Sequence, residues 1–487
     1  MSRINTNVSS LIAQNNLART NRNLETSLQR LSTGLQINRG ADNPAGLIVS
    51  ERLRSEIQGA TQAIDNAERA ANVIATTEGA LQEISTLLTS IKALTIEAAN
   101  TGAFSAEEIE ANQLEIDSAV ESITRISNTT SFAGLNLLNG SLDYLHSGVD
   151  ETQITDVDVY GANFGNEQSI AVNVEVIGSA ERGSIFLSGN TTGSVGVLQS
   201  SVTFELQGNR GVQVFTFASG TALSAVAAAV NSVDDATGVT ARLVSAADPS
   251  SGLVFESEDF GSKSFVSVRK LNDGDFFETF DTQNGAALSR DTGEDTLAVI
   301  NGNLALGDGL DIKLNTNTVN LGLTLTSAAA QTANTPYEFV ITGGGANFQI
   351  GPKVNSLQQV GFGIQSVAAS NLGTAKAGFL NSVTTGGDNS LVAGHAREAS
   401  EIIDLAIDQV SQLRGRLGAF ERNTLDTAVR ATGVTLENLT ASESSIRDTD
   451  FAAETAALTR AQILQQAGTS TLGIANSNAQ NVLSLLG

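Results

Sequence analysis

Five apolar side chains near the end of the chain, Leu472, Ala475, Ala479, Val482 and Leu486, recur at intervals of 3, 4, 3 and 4, which places them on one face of a helix. The opposite face is Gln465, Gln466, Ser477, Asn478, Gln480, Asn481 and Ser484, and no charged side chain occurs anywhere in 461–487. Solvent-facing helices normally carry charges for solubility. A neutral amide and hydroxyl face fits either a helix packed among many copies of itself or a tail buried in its own domain. Residues 1–41 predict a second long helix, with Val8, Leu11, Leu17, Leu24, Leu28, Leu31 and Leu35 as its apolar set. Arginines 3, 19, 22, 30 and 39 stand there against Glu25 alone. Each helix has a narrow stripe, and no aromatic anchor occurs before Phe104, so neither buries much surface by itself, and both are expected to be weakly ordered until partners arrive.

Between these ends the 3/4 spacing continues. Asp42-Asn43-Pro44 punctuates the first helix and starts the next, whose stripe runs Ile57, Ala60, Ile64, Ala67, Ala71, Ile74 and then, slightly out of phase, Ile84, Leu88, Ile91. Thr101-Gly102 breaks it, and Ser105 with Glu108 forms a capping-box start for a helix reaching about Ser127. Ile403, Ala406, Val410, Leu413, Leu417 and Phe420 form one more stripe. The small Ala positions allow close approach, and these helices are expected to close into an elongated bundle. The middle changes period. Residues 171–176, 202–206 and 212–217 alternate as half-buried strands do; a short helix over 223–233 and a strand over 237–241 follow, and 296–350 reads as short strands cut by Gly, Asn and Asp.

Both ends closely resemble the termini of bacterial flagellin. The matching residues at the front are Ile4-Asn5-Thr6-Asn7, Gln14-Asn15-Asn16-Leu17, the string from Leu28 through Arg30-Leu31-Ser32-Thr33-Gly34-Leu35 to Asn38, Thr77-Glu78-Gly79-Ala80-Leu81, and Ser131-Phe132-Ala133-Gly134. At the back they are Arg460-Ala461-Gln462-Ile463-Leu464-Gln465-Gln466-Ala467-Gly468 and Gln480-Asn481-Val482-Leu483-Ser484-Leu485-Leu486. The resemblance covers about 1–140 and 395–487, and Gly487 departs from the basic residue common at the family's end. The strand–strand–helix–strand run after Val202 is similar to the small insertion motif of flagellins and hook-associated proteins.

The resemblance implies an α+β multidomain chain: long helical coiled-coil and bundle inner domains from both ends, with one or two β-rich outer domains from the middle. Expected bounds are an N-terminal core helix at 1–43, bundle segments at 44–165 and 391–447, an outer region at 166–390 and a C-terminal core helix at 448–487. It implies a structural subunit that self-assembles into the flagellar filament; the alternatives are a hook–filament junction protein or a secreted filamentous adhesin. Leu24, Leu28, Leu31, Leu35, Leu464, Leu472, Val482, Leu483 and Leu486 are the candidate core and polymerisation residues. Other copies, an export chaperone at the C-terminal helix, and junction and cap proteins are the implied partners. The family leaves the cell unfolded through the flagellum's own export channel, without a cleaved signal, for an extracellular filament. Its surface for the vertebrate innate receptor uses an Arg, a Leu and a Glu; the matching positions are Ser90, Leu94 and Glu115, so the guanidinium is missing.

Composition adds exclusions. Of the net charge of −25, a surplus of 16 acidic residues falls in 141–390, which argues against nucleic acid and for a solvated exterior. Cysteine is absent, which excludes disulfide and thiol chemistry. Residues before Arg19 hold no continuous apolar run for a secretory signal, and no stretch is long and apolar enough to span a bilayer. The two histidines, His146 and His395, form no HExxH pair. Asn272-Asp273-Gly274-Asp275 and Gly307-Asp308-Gly309-Leu310-Asp311 lack EF-hand spacing and read as turns. Asn128-Thr129-Thr130 and Asn190-Thr191-Thr192 are weak sequons. No enzyme, metal or cofactor site is legible.

Overall fold

The computed structural model describes residues 6–165, 167–187, 196–248, 251–272, 277–282, 285–333 and 335–484, the last six of these as backbone only. The chain divides into two units, one made of Met1–Ala71, Gln349–Val354 and Phe420–Gly487, the other of Asn72–Phe348 and Asn355–Ala419.

The first unit is helical. Its N-terminal helix, Val8–Thr33, is capped by Asn7, whose side chain accepts from Ser10 N–H at 3.0 Å. It ends at Gly34, whose φ of 74° is the left-handed conformation that glycine adopts without penalty, and whose N–H returns to Arg30 O. The chain then meets its own far end: Gln36 N–H donates to Arg447 O at 2.7 Å and Thr449 N–H to Gly34 O at 2.9 Å. Asp42 accepts from the backbone N–H groups of Arg39 and Asn38, which hold its carboxyl below the usual range. The C-terminal helix, Phe451–Ser484, packs antiparallel against Val8–Thr33.

In the second unit the helical stripes are buried as their spacing requires. Ile74, Leu81, Ile84, Leu88 and Ile91 of Pro44–Ala98, Ile116, Val120 and Ile123 of Ala106–Thr129, and Ile403, Ala406, Val410, Leu413 and Leu417 of Ala396–Phe420 are all inside. The capping box is present, with Ser105 Oγ accepting from Glu108 N–H and the Glu108 carboxylate from Ser105 N–H. Lys92 pairs with Asp404 across two of these helices.

Eight strands form one antiparallel sheet, in the order Tyr144–Ser147, Pro336–Gly344, Ile170–Gly178, Leu297–Ile300, Asn303–Asp308, Asp311–Asn315, Val319–Leu325, Ile154–Ala162. Its two edges are bridged, since Gly363 N–H donates to Tyr160 O and Ile364 N–H to Leu142 O, so the sheet curls around a core of Val172, Val174, Ile300, Leu321, Leu323 and Phe339. The β-structure therefore starts ahead of the expected boundary at 165/166. The strands at 144–162 precede it in sequence, and only their long-range partners, near 320 and 340, make them strands.

A separate core lies in the 184–292 region. Two four-stranded sheets enclose Phe204, Phe255, Val226 and Val230, the last two from the helix Leu223–Asn231. Phe204 stacks on Phe277 at 5.0 Å. Strands Val202–Gln207 and Val212–Phe217 and the strand Val239–Leu243 lie where the alternation put them. Gly307–Asp311 is the expected turn, and Asp308 pairs with Lys263. The stretches Asp273-Gly274-Asp275 and Asn190-Thr191-Thr192 lie outside the described residues.

Candidate functional site: the paired terminal helices

The seam between the two terminal helices combines buried small residues and hydrogen-bonded polar groups with half-buried leucines, Leu17, Leu24 and Leu31 on one helix and Leu472 on the other. Asn7 Nδ2 donates to Ala475 O at 2.8 Å, Ser10 Oγ to Asn476 Oδ1 at 2.8 Å and Gln465 Nε2 to Asn21 Oδ1 at 3.0 Å, while Arg30 lies 3.5 Å from Glu454. Ser10, Ala13, Ser27 and Ala461 are the buried residues, and a Cβ on Gly468 would come within 3.3 Å of Leu17. Leu472 and Ala475 of the expected apolar stripe lie on the seam side with Ala461 and Gly468, and Gln465, expected on the outer polar face, is half-buried there too because its amide bonds Asn21 across the seam.

Other large apolar side chains of the same helices are exposed. Leu11 is 61 % exposed and Ile463 63 %, and Val8, Ile12, Leu28, Leu464 and Ile474 are about half exposed or more. Leu24, Leu31, Leu35 and Leu472 are half-buried. Val482 and Leu483 lie where only backbone is described, and Leu486 lies outside the described residues. Large apolar groups are thus exposed at several positions along both helices in the single chain. Sequence reasoning found the leucines but not Ile12, Ile463 and Ile474, whose spacing falls between the stripes.

Ser90 is exposed with its Oγ on Thr86 O, Leu94 is half-buried one turn on, and Glu115 is exposed on Ala106–Thr129. His395 lies just before Ala396–Phe420, its Nδ1 against Asp388 O. Among the described residues, no group of three or more His, Cys, Asp or Glu is disposed to hold a metal, and no helix is long and apolar enough to cross a membrane.

One polar cluster in the second unit was not anticipated. The Arg416 guanidinium lies 3.9 Å over the Tyr160 ring and donates to Gln365 Oε1 at 3.0 Å; Gln365 in turn donates to Asp158, which also accepts from Tyr160 Oη at 3.1 Å. Desolvation pushes the Asp158, Asp143 and Asp156 carboxyls up, Asp156 also through the Asp158 charge, and pushes Arg416 down. Tyr160 is pushed up by the same burial and by Asp158.

A chain whose two ends pair as antiparallel helices, leave several large apolar groups exposed and carry β-rich domains between them fits the class of structural subunits. Residues 4–143 match the bacterial flagellin N-terminal helical region, 400–486 the bacterial flagellin C-terminal helical region and 203–259 the flagellin hook IN motif. The chain is 32 % identical to the B-type flagellin of Pseudomonas aeruginosa and 31 % to the flagellin of Salmonella typhimurium, in each case over 99 % of both chains. It belongs to the bacterial flagellin family, a family of structural proteins, and is a subunit of the extracellular flagellar filament.

Proposed function

We propose that the exposed apolar side chains of the paired terminal helices are the surfaces through which copies pack into the filament. The observation that carries this is the exposure of Leu11, Ile12, Ile463 and Leu464 on helices that already pair with each other through hydrogen bonds. Ordering a helix of this length costs about 1–2 kcal/mol per residue of backbone entropy, and a single two-helix contact of buried small residues and half-buried leucines offsets only part of it. Burial against neighbours at about 25 cal/mol per Å² supplies the rest. A contact between different surfaces whose rotation does not close gives an open helical polymer.

In this reading the terminal helices supply the polymerisation surfaces, and the helical stripes at 72–129 and 396–420 and the β-rich cores are the subunit's other folded parts. The exposed uncharged face, with Gln466, Ser477 and Asn478, suits a channel through which an unfolded chain slides. The chain is not an enzyme; it leaves through the flagellar export channel, its C-terminal helix is held by an export chaperone beforehand, and the finished core meets junction and cap proteins.

Deleting 461–487 is expected to abolish filaments while the β-rich cores still melt cooperatively. Electron microscopy and circular dichroism read the two outcomes, and normal filaments from the truncated chain would sink the reading. At the receptor patch, Ser90 offers one hydroxyl where a planar multi-donor guanidinium is expected. Monomer is expected to signal weakly in a receptor reporter assay and Ser90→Arg to raise the signal about tenfold or more, the equivalent of one bidentate contact. Full potency in the unmodified chain would show that other contacts supply the energy.

A further inference from the structure

Asparagine is followed by glycine at Asn139-Gly140, Asn284-Gly285 and Asn301-Gly302. Glycine carries no side chain to shield its own peptide nitrogen, so by sequence the three pairs are equally open to attack of that nitrogen on the asparagine amide. The fold separates two of them; Asn284 lies outside the described residues. Asn301 is locked. It turns the hairpin between Leu297–Ile300 and Asn303–Asp308 with φ at 50°. Its N–H donates to Asn173 O at 3.0 Å, its Nδ2 donates to Ala171 O at 2.9 Å and its Oδ1 accepts from Asn173 N–H at 2.8 Å. The carboxamide is therefore held on the neighbouring strand, Ile170–Gly178.

Asn139 is placed differently. It is half-buried, and its Nδ2 has no partner among the described residues. Its Oδ1 accepts from Ser141 N–H at 3.1 Å, a bond that spans Gly140 and folds the carboxamide back along the Gly140 peptide. The Gly140 N–H has no hydrogen-bond partner among the described residues, and Gly140 sits at φ 88°.

We infer that Asn139-Gly140 is a site of spontaneous main-chain modification, where the chain converts its own asparagine to aspartate and isoaspartate without an enzyme. The Gly140 nitrogen attacks Asn139 Cγ across a short, preset path. Ser141 N–H, already on Oδ1, supports the negative charge that develops there. The Cγ–Nδ2 bond breaks, and the proton lost by the Gly140 nitrogen passes through water to Nδ2, which leaves as ammonia. Water then opens the cyclic imide at one carbonyl to give aspartate or at the other to give isoaspartate. The turn is fastened on both sides: Ser127 Oγ and Val367 N–H donate to Leu138 O at 2.6 and 3.1 Å, and Ile364 N–H donates to Leu142 O at 3.0 Å. Isoaspartate puts an extra methylene into the main chain, and a new carboxylate, between these fixed points.

The test incubates the full chain folded and, separately, in guanidinium chloride. Mass spectrometry of the digests scores conversion at each asparagine, and enzymatic methylation of isoaspartate identifies that product. In the folded chain Asn139 is expected to convert at least about tenfold faster than Asn301, because two side-chain hydrogen bonds must first break at Asn301. In denaturant the two rates are expected to converge. The rate at Asn139 should rise with pH, since the Gly140 nitrogen must lose its proton, and isoaspartate should be among the products. Equal rates at the two sites in the folded chain, or a faster Asn301, would overturn the assignment. So would a folded rate at Asn139 far below its rate in denaturant, which would show that the turn protects the pair. Aspartate without isoaspartate would also overturn it, because the amide would then be hydrolysed directly and not through the imide.

Discussion

Replacing Leu464 with aspartate will abolish filament formation and leave the melting of the monomer unchanged. Leu464 is 52 % exposed on the C-terminal helix and takes no part in the hydrogen-bonded seam with the N-terminal helix, so the folded chain loses nothing when it becomes charged. In a packed filament the same position would hold a desolvated, unpaired carboxylate, at a cost of several kcal/mol. A penalty of about 3 kcal/mol per contact lowers association more than 100-fold, and every added subunit meets it again. Leu11→Asp on the facing helix is expected to behave alike. Ala461→Asp separates this effect from simple damage: Ala461 is buried in the seam, so its variant should lose helix content in the monomer as well. Sedimentation and circular dichroism at neutral pH check all three. Polymerisation of Leu464→Asp at the normal critical concentration would remove this face from the assembly surface.

The elements that were legible in the sequence are those whose cause is local. Ser105 and Glu108 cap a helix through bonds three residues apart, and Ile403 to Leu417 are buried because a helix turns every 3.6 residues. The run from Val202 to Leu243 was readable because alternation and a short helix sit close together. What was missed depends on contacts far apart in sequence. Ile154–Ala162 is a strand because Val319–Leu325 lies beside it. Periodicity located the seam face of the terminal helices, where Leu24, Leu31, Leu472 and Ala475 are half-buried, but not its polar bonds; Asn21 and Gln465 meet only because residues 444 apart are folded together. Arg416 follows Arg414 near the end of Ala396–Phe420, and nothing local marks its partners, Tyr160 and Gln365, on other elements.

That arginine sets up the second large effect. Arg416→Met is expected to destabilise the β-rich unit by about 2 kcal/mol at pH 7, below the usual 3–5 kcal/mol for breaking a buried pair because these groups keep some contact with water. The methionine keeps the apolar stem against Tyr160 and removes only the charge and the donor to Gln365. Asp158 and Asp143 then keep their charge at a desolvated site without the guanidinium that partly offset it. Their folded-state carboxyls already lie above the ordinary range, so the folded form binds protons more readily than the unfolded one. The cost of holding them charged is complete above the folded pKa and falls away as pH drops through it toward the unfolded value of about 4. The deficit of Arg416→Met should therefore be largest at pH 7 to 8 and shrink on acidification, and Asp158→Asn in the same chain should recover much of it at pH 7. The measurement is local by construction, because the chain has no tryptophan and its three tyrosines, Tyr144, Tyr160 and Tyr337, all belong to the eight-stranded sheet. Urea unfolding followed by tyrosine fluorescence at several pH values reads that sheet alone. A deficit that stays constant from pH 8 to pH 4 would mean that Arg416 acts through packing and not through the carboxylates it faces.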